Sequence, residues 1–107
     1  MLSSDLVVFT RESVMKALWN GKIIAESSQT IIVDGNHYFP PDAIDGATMI
    51  PSNTTSVCGW KGTASYWSLN VDGKKNIDAV WSYPAPKEAA EKIKGYFAFW
   101  NGVDFVQ

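Results

Sequence analysis

Side chains that can do chemistry crowd into the stretch SVCGWKGTASYW, residues 56–67. Cys58 is the chain's only cysteine, and Lys61 follows it by three positions. A thiol beside a lysine ammonium can act as a nucleophile, because the cation favours the thiolate. Cys58 also fits a small buried hydrophobic residue, since free cysteines are among the most buried residues in proteins. We favour this second interpretation and keep the first as an alternative.

Lys61 and its neighbours also suit a binding site. The lysine ammonium can hold an anionic ligand, and Gly62 would let a ligand approach the backbone closely. The alternative is that the Lys61 stem lies over Trp60 with its charged end in water. We predict that Tyr66 and Trp81 line a pocket, because a phenol and an indole each join an apolar ring to a hydrogen-bonding group.

Two further polar residues are candidates. His37, the only histidine, can serve as a general base near neutral pH. It follows a predicted turn, however, where a histidine is more often solvated. Asp78 lies on a predicted strand, where a carboxylate is costly unless it is exposed or paired. We predict Asp78 to be a binding-site residue, with Lys61 as its partner.

The dipeptide Asn20-Gly21 is the first of several turn signals that divide the chain into short strands. Both central residues of a type I′ turn need positive φ, so Asn-Gly between two alternating segments predicts a hairpin. We place its strands at residues 14–19 and 22–27. A helix over residues 13–19, capped by Thr10, is the alternative.

The middle of the chain predicts a second hairpin and a connection. Residues 31–33 and 37–39 form the hairpin strands, with a turn at residues 34–36. Residues 40–55 contain three prolines and predict a long connection with one helical turn at residues 41–44.

A longer hairpin follows, with its tip at residues 72–75. Side chains alternate along a strand, so Tyr66 and Trp67 should face opposite sides of the sheet. Residues 86–95 predict the one helix, because they are good helix formers that end in a glycine. A strand and an Asn-Gly turn at residues 101–102 close the chain. On the returning limb of the hairpin, one face carries Ile77, Ala79 and Trp81.

Length and composition indicate one domain. The chain has 107 residues, 46% of them hydrophobic, and five tryptophans, which is enough for one aromatic-rich core. We predict a mainly β fold of about seven short strands with one short helix near the C-terminus. A small antiparallel barrel and a two-layer sandwich both satisfy this prediction, since each buries one face of every hairpin.

Charge and cysteine content exclude several classes of protein. A net charge of −2 with dispersed lysines predicts no nucleic-acid partner. The apolar run at residues 6–9 is too short for a signal peptide or a membrane span, so we predict a cytosolic protein without a membrane partner. One cysteine and one histidine cannot build an all-Cys/His zinc site. We predict no metal, and the sequence indicates no particular cofactor.

Five stretches carry a family resemblance, and they cover most of the chain. They resemble domain of unknown function 427, a small uncharacterised family. The resemblance implies a small, mainly β, single-domain protein and carries no established activity. The stretches are WNGKIIAES at 19–27, HYFPPDAI at 37–44, TTSVCGWKGTASYW at 54–67, DAVWSYPAP at 78–86 and IKGYFAFW at 93–100.

Some members of that family carry a nucleotidyltransferase label, which the residues do not support. Polymerase-type nucleotidyl transfer needs carboxylates that hold magnesium ions at a triphosphate. The chain has neither a Gly-Ser followed by an Asp-x-Asp strand nor a Gly-x-x-x-x-Gly-Lys loop. Asp42 and Asp45 can lie together on a turn, but aspartates at helix starts are common for capping. We therefore disfavour nucleotidyl transfer.

Our leading hypothesis is a domain that binds a small anionic or planar ligand. The first alternative is a small enzyme that uses Cys58 or His37 together with Lys61. The second is a non-catalytic interaction module, acting as a monomer or as a homodimer through an aromatic patch or an unpaired strand edge. The binding site of the leading hypothesis comprises Trp60, Lys61, Gly62, Tyr66, Asp78 and Trp81.

Overall fold

Nine β-strands make up most of residues 13–107, the part of the chain that the computed structural model describes. The predicted Thr10 cap and the apolar run at residues 6–9 lie outside the described residues. The mainly β class is confirmed, with nine strands instead of about seven. The strands are β1 (Met15–Trp19), β2 (Lys22–Ser27), β3 (Ile31–Val33), β4 (Asn36–Tyr38), β5 (Met49–Cys58), β6 (Gly62–Val71), β7 (Lys74–Ser82), β8 (Phe97–Phe99) and β9 (Asp104–Val106).

Type I′ turns join the two strands of each hairpin, as the Asx-Gly pairs predict. Asn20 and Gly21 have φ of 49° and 77°, and Asp34 and Gly35 have φ of 52° and 78°. The same pattern recurs at residues 72–73, between β6 and β7. The first hairpin is confirmed, and the alternative helix over residues 13–19 is wrong. The turns at residues 34–36 and 72–75 are shorter than predicted, because two residues with positive φ close each hairpin.

The strands form three antiparallel sheets, and the predicted barrel closure is wrong. The first sheet has the order β2-β1-β9, the second is the β3–β4 hairpin, and the third has the order β5-β6-β7-β8. Within residues 13–107, β5 and β8 lie at opposite edges of the third sheet and do not pair with each other. Phe39 and Phe97 exchange backbone hydrogen bonds of 2.7 and 2.9 Å, which join the β3–β4 hairpin to β8.

Strand β5 occupies much of the segment that we predict to be a connection. Pro51 is tolerated there because β5 is an edge strand, and a proline at an edge removes no hydrogen bond from the sheet interior. Residues 52–54 lie opposite the single residue Tyr66 of β6, so they form a bulge. The prolines and polar residues that indicated a loop are thus compatible with an irregular edge strand.

A second bulge interrupts β7. Residues 77–79 lie opposite the single residue Ser68 of β6, and Asp78 has a φ of 53°. The bulge breaks the alternation, so the prediction that Ile77, Ala79 and Trp81 share one face is wrong. Ala79 lies in the same core cluster as Val80, whereas Ile77 is 63% exposed.

The third sheet is covered on both faces. Its first face packs against the β2-β1-β9 sheet, and its second face packs against the β3–β4 hairpin and residues 88–93. The first core cluster contains Ala17, Ile24, Ala25, Phe39, Leu69, Val71, Ala79, Val80, Phe99 and Val103. The second core cluster contains Val33, Tyr38, Ala64, Tyr83, Ala90, Ile93 and Ala98.

The predicted C-terminal helix is wrong, because Glu88–Ile93 forms kinked 3₁₀ turns. Ala90 interrupts the helical backbone with φ −115° and ψ 17°, and Gly95 ends the segment with a φ of 72°. Ala90 and Ile93, three residues apart, are both buried, which suits the three-residue repeat of a 3₁₀ turn. Short helices are only marginally stable because helix nucleation is costly, so tertiary packing determines the conformation of residues 88–93. Within the described range, no helical segment is long and apolar enough to cross a membrane.

We expect Leu69→Ala to lower the free energy of unfolding by about 2–5 kcal/mol, because Leu69 is fully buried in the first core cluster. Urea unfolding measures the change. Ile32→Ala is the control, since Ile32 is 60% exposed and its truncation should cost less than about 0.5 kcal/mol. Equal losses for the two variants would contradict the core described here.

Candidate functional site

An aromatic pocket of about 220 Å³ opens between the second face of the third sheet and the β3–β4 hairpin. Tyr66 and Trp81 stand directly opposite each other on β6 and β7, so their side chains lie side by side on one face. Tyr83 follows Trp81 by two residues and shares that face. The lining consists of Tyr38, Lys61, Tyr66, Trp81, Tyr83 and Trp100.

Trp81 links two walls of the pocket. Its Nε1 donates a hydrogen bond of 3.2 Å to the hydroxyl of Tyr38. The two rings meet edge to face at 6.2 Å between centroids, and the Trp100 ring meets Trp81 in the same manner at 6.5 Å. Because the Tyr38 oxygen accepts from Trp81, its own proton is left to donate.

Lys61 supplies the charge of the pocket, and its head does not extend into water. The residue is only 8% exposed, and its Nζ donates a hydrogen bond of 2.6 Å to Oδ2 of Asp34. The Nζ also lies 5.1 Å from the ring centroid of Trp60 and 5.7 Å from that of Tyr83. Burial disfavours the ammonium, but the hydrogen bond to Asp34 and the nearby tyrosines leave the pKa of Lys61 above its ordinary value.

Asp34 is the partner of Lys61, so the predicted ion pair between Lys61 and Asp78 is wrong. The Asp34 side chain is 55% exposed and stands on the β3–β4 turn, 27 positions before the lysine. Asp-Gly at a hairpin tip is fully explained by turn chemistry, so no sequence pattern indicates a second role for Asp34.

Gly62 and Trp60 border the pocket without lining it. Gly62 has a φ of 114°, and a Cβ there would lie 3.4–3.5 Å from the backbone of residues 85–87. The backbone N–H of Lys87 donates to the carbonyl of Lys61 at 2.9 Å. The Cβ distances at Gly62 are ordinary van der Waals contacts, so the backbone conformation, with its positive φ, is what favours glycine at this position. Trp60 is 43% exposed and contacts Lys61 from outside.

Asp78 acts on the pocket through Trp100. Its carbonyl accepts a hydrogen bond of 2.7 Å from Nε1 of Trp100, and its N–H donates to Oγ of Ser68 at 3.0 Å. The carboxylate accepts from Oγ1 of Thr54 at 2.7 Å. Hydrogen bonding from Ser52 and Thr54 holds the pKa of the Asp78 carboxyl below its ordinary value. The bulge thus holds an exposed tryptophan at the pocket wall.

The two catalytic candidates lie outside the pocket lining. Cys58 is partly exposed at the end of β5, and the backbone N–H groups of Lys61 and Trp60 lower the pKa of its thiol. His37 alternates with Tyr38 on β4, so its ring points to the other side of the hairpin. There Nδ1 shares a hydrogen bond of 3.0 Å with Oγ1 of Thr30, and the ring stacks on Phe105.

Among residues 13–107, the carboxylates away from the pocket do not form a cluster of the kind that a catalytic centre would require. Asp45 caps a 3₁₀ turn, because its Oδ1 accepts a hydrogen bond from the backbone N–H of Ala47. Its Oδ2 lies 3.6 Å from Nζ of Lys22, so the carboxylate is also paired with a charge. Within residues 13–107, no three His, Cys, Asp or Glu side chains gather as a metal site would require. A second depression of about 510 Å³ contains two carboxylates and none of the predicted site residues. Its lining is Glu26, Ser27, Ser28, Gln29, Pro40, Asp42, Ala43 and Tyr96.

Four residues at the pocket are absent from the sequence-based site. Tyr83 could have been found, because it shares the alternation of Trp81. Tyr38 and Asp34 come from a distant hairpin whose docking no local pattern specifies. Trp100 follows β8 and reaches the pocket through the bulge at Asp78, which the alternation pattern does not predict.

These features define a small antiparallel β domain with a lysine-bearing aromatic pocket. A family profile described as domain of unknown function (DUF427) matches residues 8–107. The chain belongs to this family, and the resemblance drawn from its motifs is confirmed. No curated protein shows significant similarity to the chain.

The ion pair should respond unequally to loss of its two members. We expect Asp34→Asn to lower the free energy of unfolding by about 1–3 kcal/mol, because it leaves a buried ammonium without its charged hydrogen-bond partner. Lys61→Met should cost less than about 1 kcal/mol, because the remaining Asp34 is half exposed and can be solvated. Urea unfolding at neutral pH compares them.

The same pair predicts a pH dependence. The folded-state pKa of Lys61 is raised, so the stabilisation from the pair is complete below the ordinary value of 10.5 and is lost as the pH rises through the folded value. The stability difference between the wild type and Lys61→Met should therefore shrink in strongly alkaline solution. A difference that is constant from pH 7 into this region would contradict the ion pair.

Cys58 should be alkylated in the folded protein. Its thiol is partly exposed, and its pKa is lowered by two backbone N–H groups, so the rate of reaction with iodoacetamide should reach half its maximum at a lower pH than in the urea-unfolded protein. Mass spectrometry at a series of pH values measures the rate. The urea-unfolded protein is the control and should titrate at the ordinary thiol value.

Proposed function

We propose that this protein is a non-catalytic binding domain for a small planar molecule. The observation that carries the proposal is the aromatic pocket itself, in which five aromatic side chains and Lys61 surround one cavity. Binding pockets are typically apolar hollows with a few polar groups, and this lining has that composition. Tyr66, Trp81 and Lys61 are the sequence-predicted residues that would contact the ligand.

The dimensions of the pocket support a small ligand. A cavity of about 220 Å³ lies below the usual range for drug-sized molecules, so one ring, or two fused rings, is the size class that fits. The Trp81 ring packs edge to face against the rings of Tyr38 and Trp100. A planar ligand could therefore stack without reordering these side chains, which limits the entropy lost on binding.

The polar groups of the pocket are mainly donors. Lys61 has three N–H donors and gives one to Asp34. The Tyr38 hydroxyl has a proton to donate, and burial raises the pKa of Tyr83, which keeps its phenol protonated. A ligand with acceptor oxygen or nitrogen atoms at its edge is the complementary partner.

The other hypotheses have less support. An enzyme that uses Cys58 or His37 would need them at the pocket, and neither is in its lining. An interaction module could use the β5 edge, although Pro51 and the bulge at residues 52–54 are features that discourage strand addition. Three further statements remain predictions: a cytosolic location, the lack of nucleic-acid and membrane partners, and a monomeric or homodimeric state.

Trp100→Ala tests the proposal. Three one-ring compounds of equal shape, benzamide, benzoate and benzamidine, are titrated while tryptophan fluorescence is recorded. We expect at least one to bind the wild type, and Trp100→Ala to weaken that binding by about tenfold or more, since tryptophans often dominate binding energy. Trp100 is 54% exposed, so the variant should fold.

Ile77→Ala is the matched control. Ile77 is an exposed apolar residue in the β7 bulge, residues 77–79, but outside the pocket lining, so its truncation should change the affinity by no more than about twofold. If none of the three compounds binds, or if both variants weaken binding equally, the proposed pocket function is wrong.

A further inference from the structure

We infer that the aromatic pocket selects an uncharged planar ligand with a carbonyl acceptor, and that Asp34 is the residue that determines this selection. The inference rests on the proposed function, and it adds the class of ligand and a specificity-determining residue.

Asp34 neutralises the only charged side chain of the lining. Among the described residues that line the pocket, Lys61 alone is charged, and the others are tyrosines and tryptophans. The Lys61 Nζ lies 2.6 Å from the Asp34 carboxylate, so the two charges form a close pair. A ligand that enters the pocket therefore meets an ion pair with no net charge.

An anionic ligand gains little from this pair. To reach Nζ, a carboxylate would have to lie within a few ångströms of the Asp34 carboxylate, and like charges that close disfavour each other. It would also lose its hydration inside the hollow. A neutral carbonyl can accept one of the remaining Lys61 protons, or the proton of Tyr38, without that repulsion and with a smaller loss of hydration.

A cationic ligand is disfavoured for the opposite reason. Aromatic faces attract cations, but Lys61 already lies 5.1 Å from the Trp60 ring and 5.7 Å from the Tyr83 ring. A second cation in the pocket would approach the lysine ammonium. Since the Asp34 carboxylate disfavours anions and the Lys61 ammonium disfavours cations, the neutral class of ligand remains.

The β3–β4 hairpin determines the position of Asp34. It stands on the tight turn of the β3–β4 hairpin, next to Val33, and the same hairpin contributes Tyr38 to the pocket wall. Val33 and Tyr38 are both buried in the second core cluster. The hairpin that forms one wall therefore also holds the carboxylate against Lys61.

The three isosteric compounds test the inference. In the wild type, benzamide should bind at least about tenfold more tightly than benzoate or benzamidine. In Asp34→Asn, benzoate should gain about tenfold or more while benzamide changes by less than about threefold, so the order reverses or disappears. Asparagine suits the left-handed backbone at this position, and circular dichroism confirms that the variant is folded.

Asp34→Gly is the second variant, because glycine also accepts the φ of 52° and removes the carboxylate altogether. It should show the same gain for benzoate. Tighter binding of benzoate than benzamide by the wild type, or a charge preference unchanged in both variants, would overturn the inference and leave the pocket function standing. No binding of any of the three compounds would overturn the proposed function itself.

Discussion

The third sheet is covered on both faces, and this constraint governs the rest of the molecule. Each of its central strands must divide its side chains between two cores, as Trp67 and Tyr66 do on β6 and Val80 and Trp81 do on β7. In both bulges of this sheet, three residues lie opposite one, so each bulge adds two residues and the side chains beyond it return to their original faces. A single inserted residue would have exchanged the two faces and moved the pocket aromatics into the opposite core.

Local turn chemistry made much of this architecture predictable. Three Asx-Gly pairs marked the hairpins, because positive φ at two successive residues is hard for other residues to supply. The predictions failed where tertiary packing outweighs local preference. Strand β5 pairs along an edge where Pro51 does no harm, and residues 88–93 are too few to form a helix against the packing of Ala90 and Ile93.

Sequence patterns predicted the site residues that share one strand, but they did not predict the contacts between separate elements. Alternation separated Tyr66 from Trp67 and put the first of them at the pocket. The partner of Lys61 could not be found in that way, because Asp34 is brought to it by the docking of a separate hairpin. Asp78 contacts the pocket wall through its backbone carbonyl, which accepts from Trp100, and no side-chain pattern can indicate such a contact.

The β3–β4 hairpin has strands of only three residues, and it carries both Tyr38 and Asp34. Short elements of this kind open more readily than the long strands beside them. Opening of the hairpin would remove one wall of the pocket together with the counter-charge of Lys61. Ligand binding in the pocket and closure of the hairpin are therefore thermodynamically coupled. A ligand that contacts both the hairpin and the third sheet would stabilise the closed state, and so would protect the amide hydrogens of residues 31–38 from exchange.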